Sequence, residues 1–325
     1  MPVQVNQKVI IARQVFELLD AKEKMTVPDC WVKKNKIGTA HGEAKFYVGQ
    51  RNDTAYKFFE RIGENCFFLK SDIIKYLEEV KEEYGNPQQP YRFSSKMPED
   101  WKEYYEQAKG IPGEIITFSM QPQAQINGPR FYFNSSDEIY QFVREISLPN
   151  ITYLASLKLK DSNGKIFYYF KLFVDYFGED LEDKEVEEEI KESGISDTEK
   201  ETLVRARKGQ GKYREGVLKE CPYCPITIVS DDRLLIASHI KPWVKSETRE
   251  KTDPKNGFMF TPTYDFLFDR GFITFTDEQK MVVSPWLSKM TCSKLNLVDN
   301  KKYPLLPVEG RKHYLEYHRD NIFKR

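Results

Sequence analysis

Residues 234–273 read LLIASHIKPWVKSETREKTDPKNGFMFTPTYDFLFDRGFI. His239 closes an apolar run that reads as a strand, and it is one of only four histidines in the chain. Asn256-Gly257 is a turn signal. Asp265 and Asp269 stand four apart in a short helical pattern, a spacing that lets both carboxylates face the same way. This order suits metal-assisted cleavage of a phosphodiester. Such a reaction must deprotonate a water, neutralise charge on the phosphate and stabilise the leaving oxygen. A divalent cation can serve the last two needs. A histidine, neutral near pH 7, suits the first. An asparagine amide can hold a loop or an imidazole in place without adding charge. Each signal alone has an ordinary structural reading; their common register makes the pattern specific.

Immediately upstream, Arg205 to Lys219 carries six basic residues against Glu215. Arg207, Lys208, Gln210, Lys212 and Arg214 in this stretch, with Lys241 and Arg270 farther on, are candidate DNA contacts, and an exposed helix face is the competing reading. Before it, Glu179 to Glu201 holds twelve acidic residues against three lysines. That run reads as a solvated linker or helix and marks a domain boundary. At 325 residues two domains are expected. Basic and acidic residues balance at 50 each, so net charge names no polyanionic partner. No run is apolar enough to span a membrane, and the N-terminus lacks a signal-peptide pattern. Five cysteines in so long a chain argue for a reducing compartment rather than a disulfide framework, and a cytoplasmic location is expected.

The N-terminal part reads as α+β. An apolar stripe predicts a helix over 5–22, and further helices are expected over 72–84 and near Glu99–Ala108. Strands are expected at Ile115–Met120, Phe131–Phe133, Ile151–Leu159 and Lys165–Phe177. The last two are joined by the turn signal Asp161-Ser162-Asn163-Gly164. Alternation gives the last strand two apolar faces, which implies burial on both sides; a stacking surface for a flipped base is the functional alternative. Lys33-Lys34-Asn35-Lys36 with Gly38–Gly42 could contact a DNA backbone or be a plain surface loop.

The 234–273 segment resembles the HNH endonucleases, whose site is built on a ββα-metal fold. The resemblance rests on Ala237-Ser238-His239-Ile240-Lys241-Pro242-Trp243, then Asn256-Gly257-Phe258-Met259-Phe260, then Phe268-Asp269-Arg270-Gly271. Gly209-Gln210 with Tyr213-Arg214 resembles the family's lead-in, and Tyr314–Arg319 its closing helix, so the resemblance covers about 203–325. It implies His239 as general base, Asn256 as the residue fixing the loop that orients it, and Asp265 and Asp269 as metal ligands. Two departures from the family stand out: Ser238 where many relatives carry a metal-binding residue, and Asp265 where a histidine is common. With carboxylate ligands the implied ion is Mg²⁺ or Mn²⁺. Some relatives bind a structural zinc through two C-x-x-C pairs. Here Cys221-Pro222-Tyr223-Cys224 has no second pair, so Cys221 and Cys224 read as structural cysteines rather than zinc ligands.

The sequence reading is an α+β protein with a DNA-recognition domain over 1–178, an acidic linker over 179–202 and an HNH nuclease domain over 203–325. The implied function is a restriction-type endonuclease acting on double-stranded DNA, as a homodimer. A modification-dependent nuclease is the alternative, as is a DNA-binding or toxin-like protein with a weak or inactive HNH domain.

Overall fold

A computed structural model describes residues 7–33, 36–37, 45–50, 54–124, 128–174 and 211–325. The chain divides into two compact units, Met1–Phe177 and Gly178–Arg325, and both mix helices with sheet, so the protein is α+β. Among the described residues no helix is long and apolar enough to cross a membrane.

The first unit opens with β1 (Lys8–Ile11) and β2 (Gln14–Thr26). It continues through β3 (Phe46–Gln50), α1 (Thr54–Phe58), β4 (Cys66–Leu69), α2 (Lys70–Glu79), α3 (Lys81–Gly85) and α4 (Met97–Gly110). Then come β5 (Ile115–Phe118), β6 (Gln121–Ala124), β7 (Arg130–Asn134), α5 (Glu138–Ile146), β8 (Thr152–Lys160) and β9 (Ile166–Val174). Six strands form one sheet in the order β1-β2-β8-β9-β4-β5, and three form a second, β3-β7-β6. The β8–β9 hairpin lies at the centre of the larger sheet. Its turn is built as the sequence implies: Asp161 Oδ1 accepts from the amides of Asn163 and Lys165, and Gly164 takes φ +80°.

The helix expected over 5–22 is instead the β1–β2 hairpin. Its buried positions Leu18, Ala21 and Met25 are spaced three and four apart, as on a helix. The spacing arises because β2 pairs with β8 through register shifts between Leu18 and Asp20 and between Lys22 and Met25. Each shift adds residues to a strand and breaks the period of two. The turn also escapes recognition. Ala12 and Arg13 both have positive φ, at 46° and 68°, in place of the usual Asn-Gly.

The core of this unit is aromatic: Trp31, Phe46, Phe59, Tyr76, Tyr84, Tyr140, Phe133 and Phe170 are all fully buried. Both faces of β9 are used internally. Phe170 packs against Phe59, Phe68, Phe118 and Phe133. On the opposite face Tyr169 stacks on Phe67 at 5.0 Å and donates to Asp72, which also pairs with Lys171 at 2.7 Å. Burial on both sides is what the sequence implied; these rings stack on one another. In the lysine-rich loop, Lys33 pairs with Glu145 at 3.0 Å, and Lys36 donates to the carbonyls of Glu145 and Ser147 and to the Tyr84 hydroxyl. Lys34, Asn35 and 38–42 lie outside the described residues, as does the acidic run 179–202.

The second unit contains α6 (Gly211–Glu220), β10 (Ile236–His239), β11 (Gly257–Phe260) and α7 (Pro262–Asp269). These are followed by β12 (Ile273–Phe275), β13 (Met281–Val283), α8 (Lys289–Lys294) and α9 (Lys312–Asn321). β10 and β11 pair antiparallel, with His239 opposite Gly257 and Ser238 opposite Phe258, and α7 follows at once. Phe258, Phe260, Phe268 and Phe275 fill the centre. Pro262 starts α7 at a position that needs no amide donor. Gly271 at φ +68° ends it: the Gly271 amide bonds the Phe268 carbonyl and the Phe272 amide the Leu267 carbonyl, a Schellman closure. A side chain at Gly271 would also strike the Ile322 carbonyl, 2.1 Å from a Cβ placed there.

Asn256-Gly257 is not a hairpin turn. Asn256 ends a 3-10 turn, Pro254–Asn256, and Gly257 is extended at φ −158°. The glycine is required for space: a Cβ there would lie 2.4 Å from the Tyr213 hydroxyl and 2.9 Å from Val217.

Candidate active site

His239 is the last residue of β10, and a long loop returns from it to β11. Asn256 holds that loop. It is fully buried, accepts from the Lys241 amide at 2.8 Å, and donates at 3.2 Å to the carbonyls of Lys241 and Glu250 and to Ser246 Oγ. Ser246 Oγ in turn lies 3.1 and 3.0 Å from the Lys241 and Pro242 carbonyls. One amide therefore satisfies backbone groups at both ends of the loop, the positioning role expected of a buried neutral side chain.

The closed loop brings the Lys251 carbonyl to 3.2 Å from His239 Nε2. A carbonyl only accepts, so Nε2 carries the proton and the neutral ring keeps its basic lone pair on Nδ1. Burial lowers the His239 pKa from 6.5 to about 4, only partly offset by the Lys251 contact. On its face, the Tyr213 ring lies 4.2 Å away and 7° from parallel. His318 offers an internal comparison. It too stacks flat on an aromatic ring, Phe268, at 3.9 Å, and burial lowers its pKa to about 4. But both of its nitrogens are engaged, with Thr274 Oγ1 and with the Phe268 carbonyl, each at 2.9 Å. His318 is structural in its bonding; Nδ1 of His239 has no hydrogen bond among the described residues.

Asp265 lies in the first turn of α7, partly buried. Burial raises its pKa, against a hydrogen bond from Ser238 that lowers it. Ser238 precedes His239 on β10, so the carboxylate of α7 is tied to the strand that carries the imidazole. Asp269, one turn later, is exposed. No cluster of three His, Cys, Asp or Glu side chains suited to a metal occurs among the described residues. A half-desolvated carboxylate whose stabilising contact is a neutral hydroxyl is nonetheless short of positive charge, and fits a hard cation that brings waters and phosphate oxygens with it.

The other expected contacts fall into two groups. Lys212 is exposed in the first turn of α6. Arg214 is turned inward, donating to the Leu235 and Asp232 carbonyls and so anchoring the approach to β10. Lys241 pairs with Glu250 at 2.6 Å and lies over the Tyr317 ring. Arg270 caps α7 beside the Phe266 ring. Arg207, Lys208 and Gln210 lie outside the described residues. Cys221 and Cys224 are buried free thiols; Cys221 contacts the Tyr223 carbonyl, and burial raises its pKa.

Three contributors escaped the sequence reading. The Lys251 contribution is a backbone carbonyl and leaves no residue signature. Ser246 lies in a charged loop with no periodicity. Arg311 is 1% exposed, and its guanidinium reaches the Gly257 and Pro254 carbonyls from the start of α9, 54 and 57 residues away.

No curated protein matches the chain. A family model described as HNH endonuclease matches residues 224–276, from Cys224 to the end of the β12 hairpin strand, and so takes in β10, the loop, β11 and α7. HNH nucleases use divalent metal ions. Over this ββα segment, then, the chain is similar to the HNH endonucleases, which suggests a nuclease domain.

Proposed function

We propose that the protein is a divalent-metal-dependent, restriction-type DNA endonuclease in which His239 is the general base. The observation that carries this reading is the state of His239: a neutral imidazole, its proton committed to the Lys251 carbonyl through Nε2, with Nδ1 left basic. Burial keeps the ring uncharged at the cost of basicity. An arriving phosphate is an anion and raises the ring's affinity for a proton, so the base strengthens when substrate is in place. Nδ1 accepts the proton of the attacking water. Asn256 keeps the loop closed so that the Lys251 carbonyl stays on Nε2. Asp265, held by Ser238, and Asp269 are the residues that would hold Mg²⁺ or Mn²⁺. That ion, when bound, supplies charge neutralisation at the phosphate and at the leaving oxygen. Ser238 adds no charge of its own, so affinity for the ion without DNA is weak.

Hydrolysis of a phosphodiester carries little sequence information, so base contacts must come from elsewhere. The first unit, with its separate core, is the part we assign to recognition. Two cuts in a duplex call for two active sites, which is the reason to expect a homodimer.

The test is cleavage of a supercoiled plasmid and of hydroxymethylated and unmodified genomic DNA with Mg²⁺ or Mn²⁺. His239→Ala is expected to slow cleavage by roughly two to four orders of magnitude with binding retained. Asp265→Ala and Asp269→Ala are each expected to remove activity. Cleavage by His239→Ala within tenfold of the parent, or full activity in EDTA, refutes the assignment. Failure to cut any of these DNAs favours an inactive DNA-binding protein, and cutting only the modified DNA favours a modification-dependent nuclease.

A further inference from the structure

His239 is the one proposed catalytic group whose orientation is not fully accounted for by the loop. Its Nε2 contact to Lys251 is a single hydrogen bond, about which the ring can still swing. The remaining restraint comes from α6, outside the segment matched by the family model. Tyr213, 3% exposed, lies flat on the imidazole, with centroids 4.2 Å apart and planes within 7°. Its hydroxyl donates to the Asn256 carbonyl at 3.0 Å, the same oxygen that receives the Ile240 amide at 3.1 Å. Tyr213 is thus fastened at its tip to the residue that closes the loop, while its face covers the histidine. Gly257, opposite His239 in the β ladder, is the position that makes room for this hydroxyl. Arg311 reinforces the arrangement through the Gly257 carbonyl at 3.1 Å.

We propose that Tyr213 is a positioning residue of the nuclease site: its ring fixes the plane of His239, keeping Nε2 on the Lys251 carbonyl and Nδ1 as the proton acceptor. A stacked neutral ring restrains an imidazole through shape and dispersion without consuming either nitrogen. His318 also stacks on an aromatic ring, but both of its nitrogens are bonded and already fix its plane; His239, with one nitrogen left unbonded to react, has a single hydrogen bond and depends on its stack for the rest. The role rests on the reading of His239 as base, but the geometry it specifies is observable without cleavage.

The experiment compares Tyr213→Phe, which keeps the flat face and loses the hydroxyl, with Tyr213→Met, which fills similar volume without a plane. Three quantities are read: single-turnover plasmid cleavage with Mg²⁺, plasmid binding in Ca²⁺, and the His239 tautomer by ¹⁵N NMR. Tyr213→Phe is expected to stay within about threefold of the parent rate and to keep the Nε2–H tautomer. Tyr213→Met is expected to cleave at least tenfold more slowly per folded molecule, to bind plasmid as the parent does, and to show a mixed tautomer. A residue that only stabilises the fold would lower the melting temperature in both variants and leave the rate per folded molecule and the tautomer unchanged; that result overturns the inference. So does an Nδ1–H tautomer in the unsubstituted protein, a measurement that stands even where Tyr213→Met does not fold. If His239→Ala remains active, the base assignment fails, and the tautomer measurements still decide the role of Tyr213.

Discussion

At the scale of single residues, the site depends on positions whose chemistry is silent. Gly257 carries no functional group, yet a methyl group there collides with the Tyr213 hydroxyl and Val217. Gly257→Ala is expected to destabilise the protein by about 1–3 kcal/mol, the usual cost of overpacking. It should also slow cleavage, because relief of the clash displaces the ring that covers His239. Urea denaturation and single-turnover rates check both, and an alanine variant with parental stability contradicts the packing described. Asn256→Ala removes four hydrogen bonds from one buried amide, so its first effect is on loop closure. Cleavage should fall less than in His239→Ala, with a clear loss of stability. Asn256 and His239 were legible in the sequence because each pairs an unusual residue type with a motif. Tyr213 was legible as part of the lead-in but not in role, since a buried tyrosine in a helix reads as core.

At the scale of elements, the recurring lesson is that irregularity hides structure. The β1–β2 hairpin carries the apolar runs Val9–Ile11, Val15-Phe16 and Leu18-Leu19 that predict a helix, and its turn, Ala12 and Arg13, gives no turn signal. Non-glycine residues with positive φ cost roughly 1–2 kcal/mol each. Replacing the pair by Asn-Gly, through Ala12→Asn with Arg13→Gly, is therefore expected to stabilise the protein by about 1 kcal/mol. A rise in the urea midpoint checks it, and destabilisation would show the turn geometry to be different. By contrast the short helical pattern holding Asp265 and Asp269 is the helix α7. Its proline start, its short helical pattern and its closing glycine are all local signals, and Gly271 is doubly required by φ and by the nearby Ile322 carbonyl.

At the scale of the whole molecule, two consequences follow from where burial is concentrated. His239 and His318 both have pKa values lowered from 6.5 to about 4 by burial. The unfolded chain takes up these protons near pH 6.5 and the folded chain does not until near pH 4. Their contribution to stability is therefore complete above about 6.5 and is lost as the pH falls through that window. The loss by pH 5.5 is about 1 kcal/mol for each. Urea midpoints from pH 7.5 to 5.5, above the carboxylate range, should fall accordingly, and His318→Gln should flatten the slope; a flat profile in the parent contradicts the burial of both rings. The second consequence concerns the two units, each with its own hydrophobic core. Fragment 1–178 is expected to bind DNA with sequence or modification preference, while 203–325 binds weakly and cleaves poorly. Electrophoretic mobility shifts across a salt series test this, and full-length specificity in the C-terminal fragment alone refutes the division of labour.

The sequence by itself determined the resemblance to the HNH endonucleases, the order histidine, asparagine, aspartate, aspartate, the β8–β9 hairpin and the helical pattern that holds Asp265 and Asp269. All of these are set by residues near one another in the chain, where spacing, turn chemistry and capping act directly. Only the tertiary structure decided the state of His239, whose tautomer depends on the Lys251 carbonyl and whose plane depends on Tyr213, 26 residues upstream. It alone also decided that Arg214 faces inward, that Asn256-Gly257 is no turn, and that the first strands are strands. The physical reason is the same in each case. A backbone carbonyl has no residue identity, a bulge erases periodicity, and desolvation is a property of what surrounds a group rather than of the group itself.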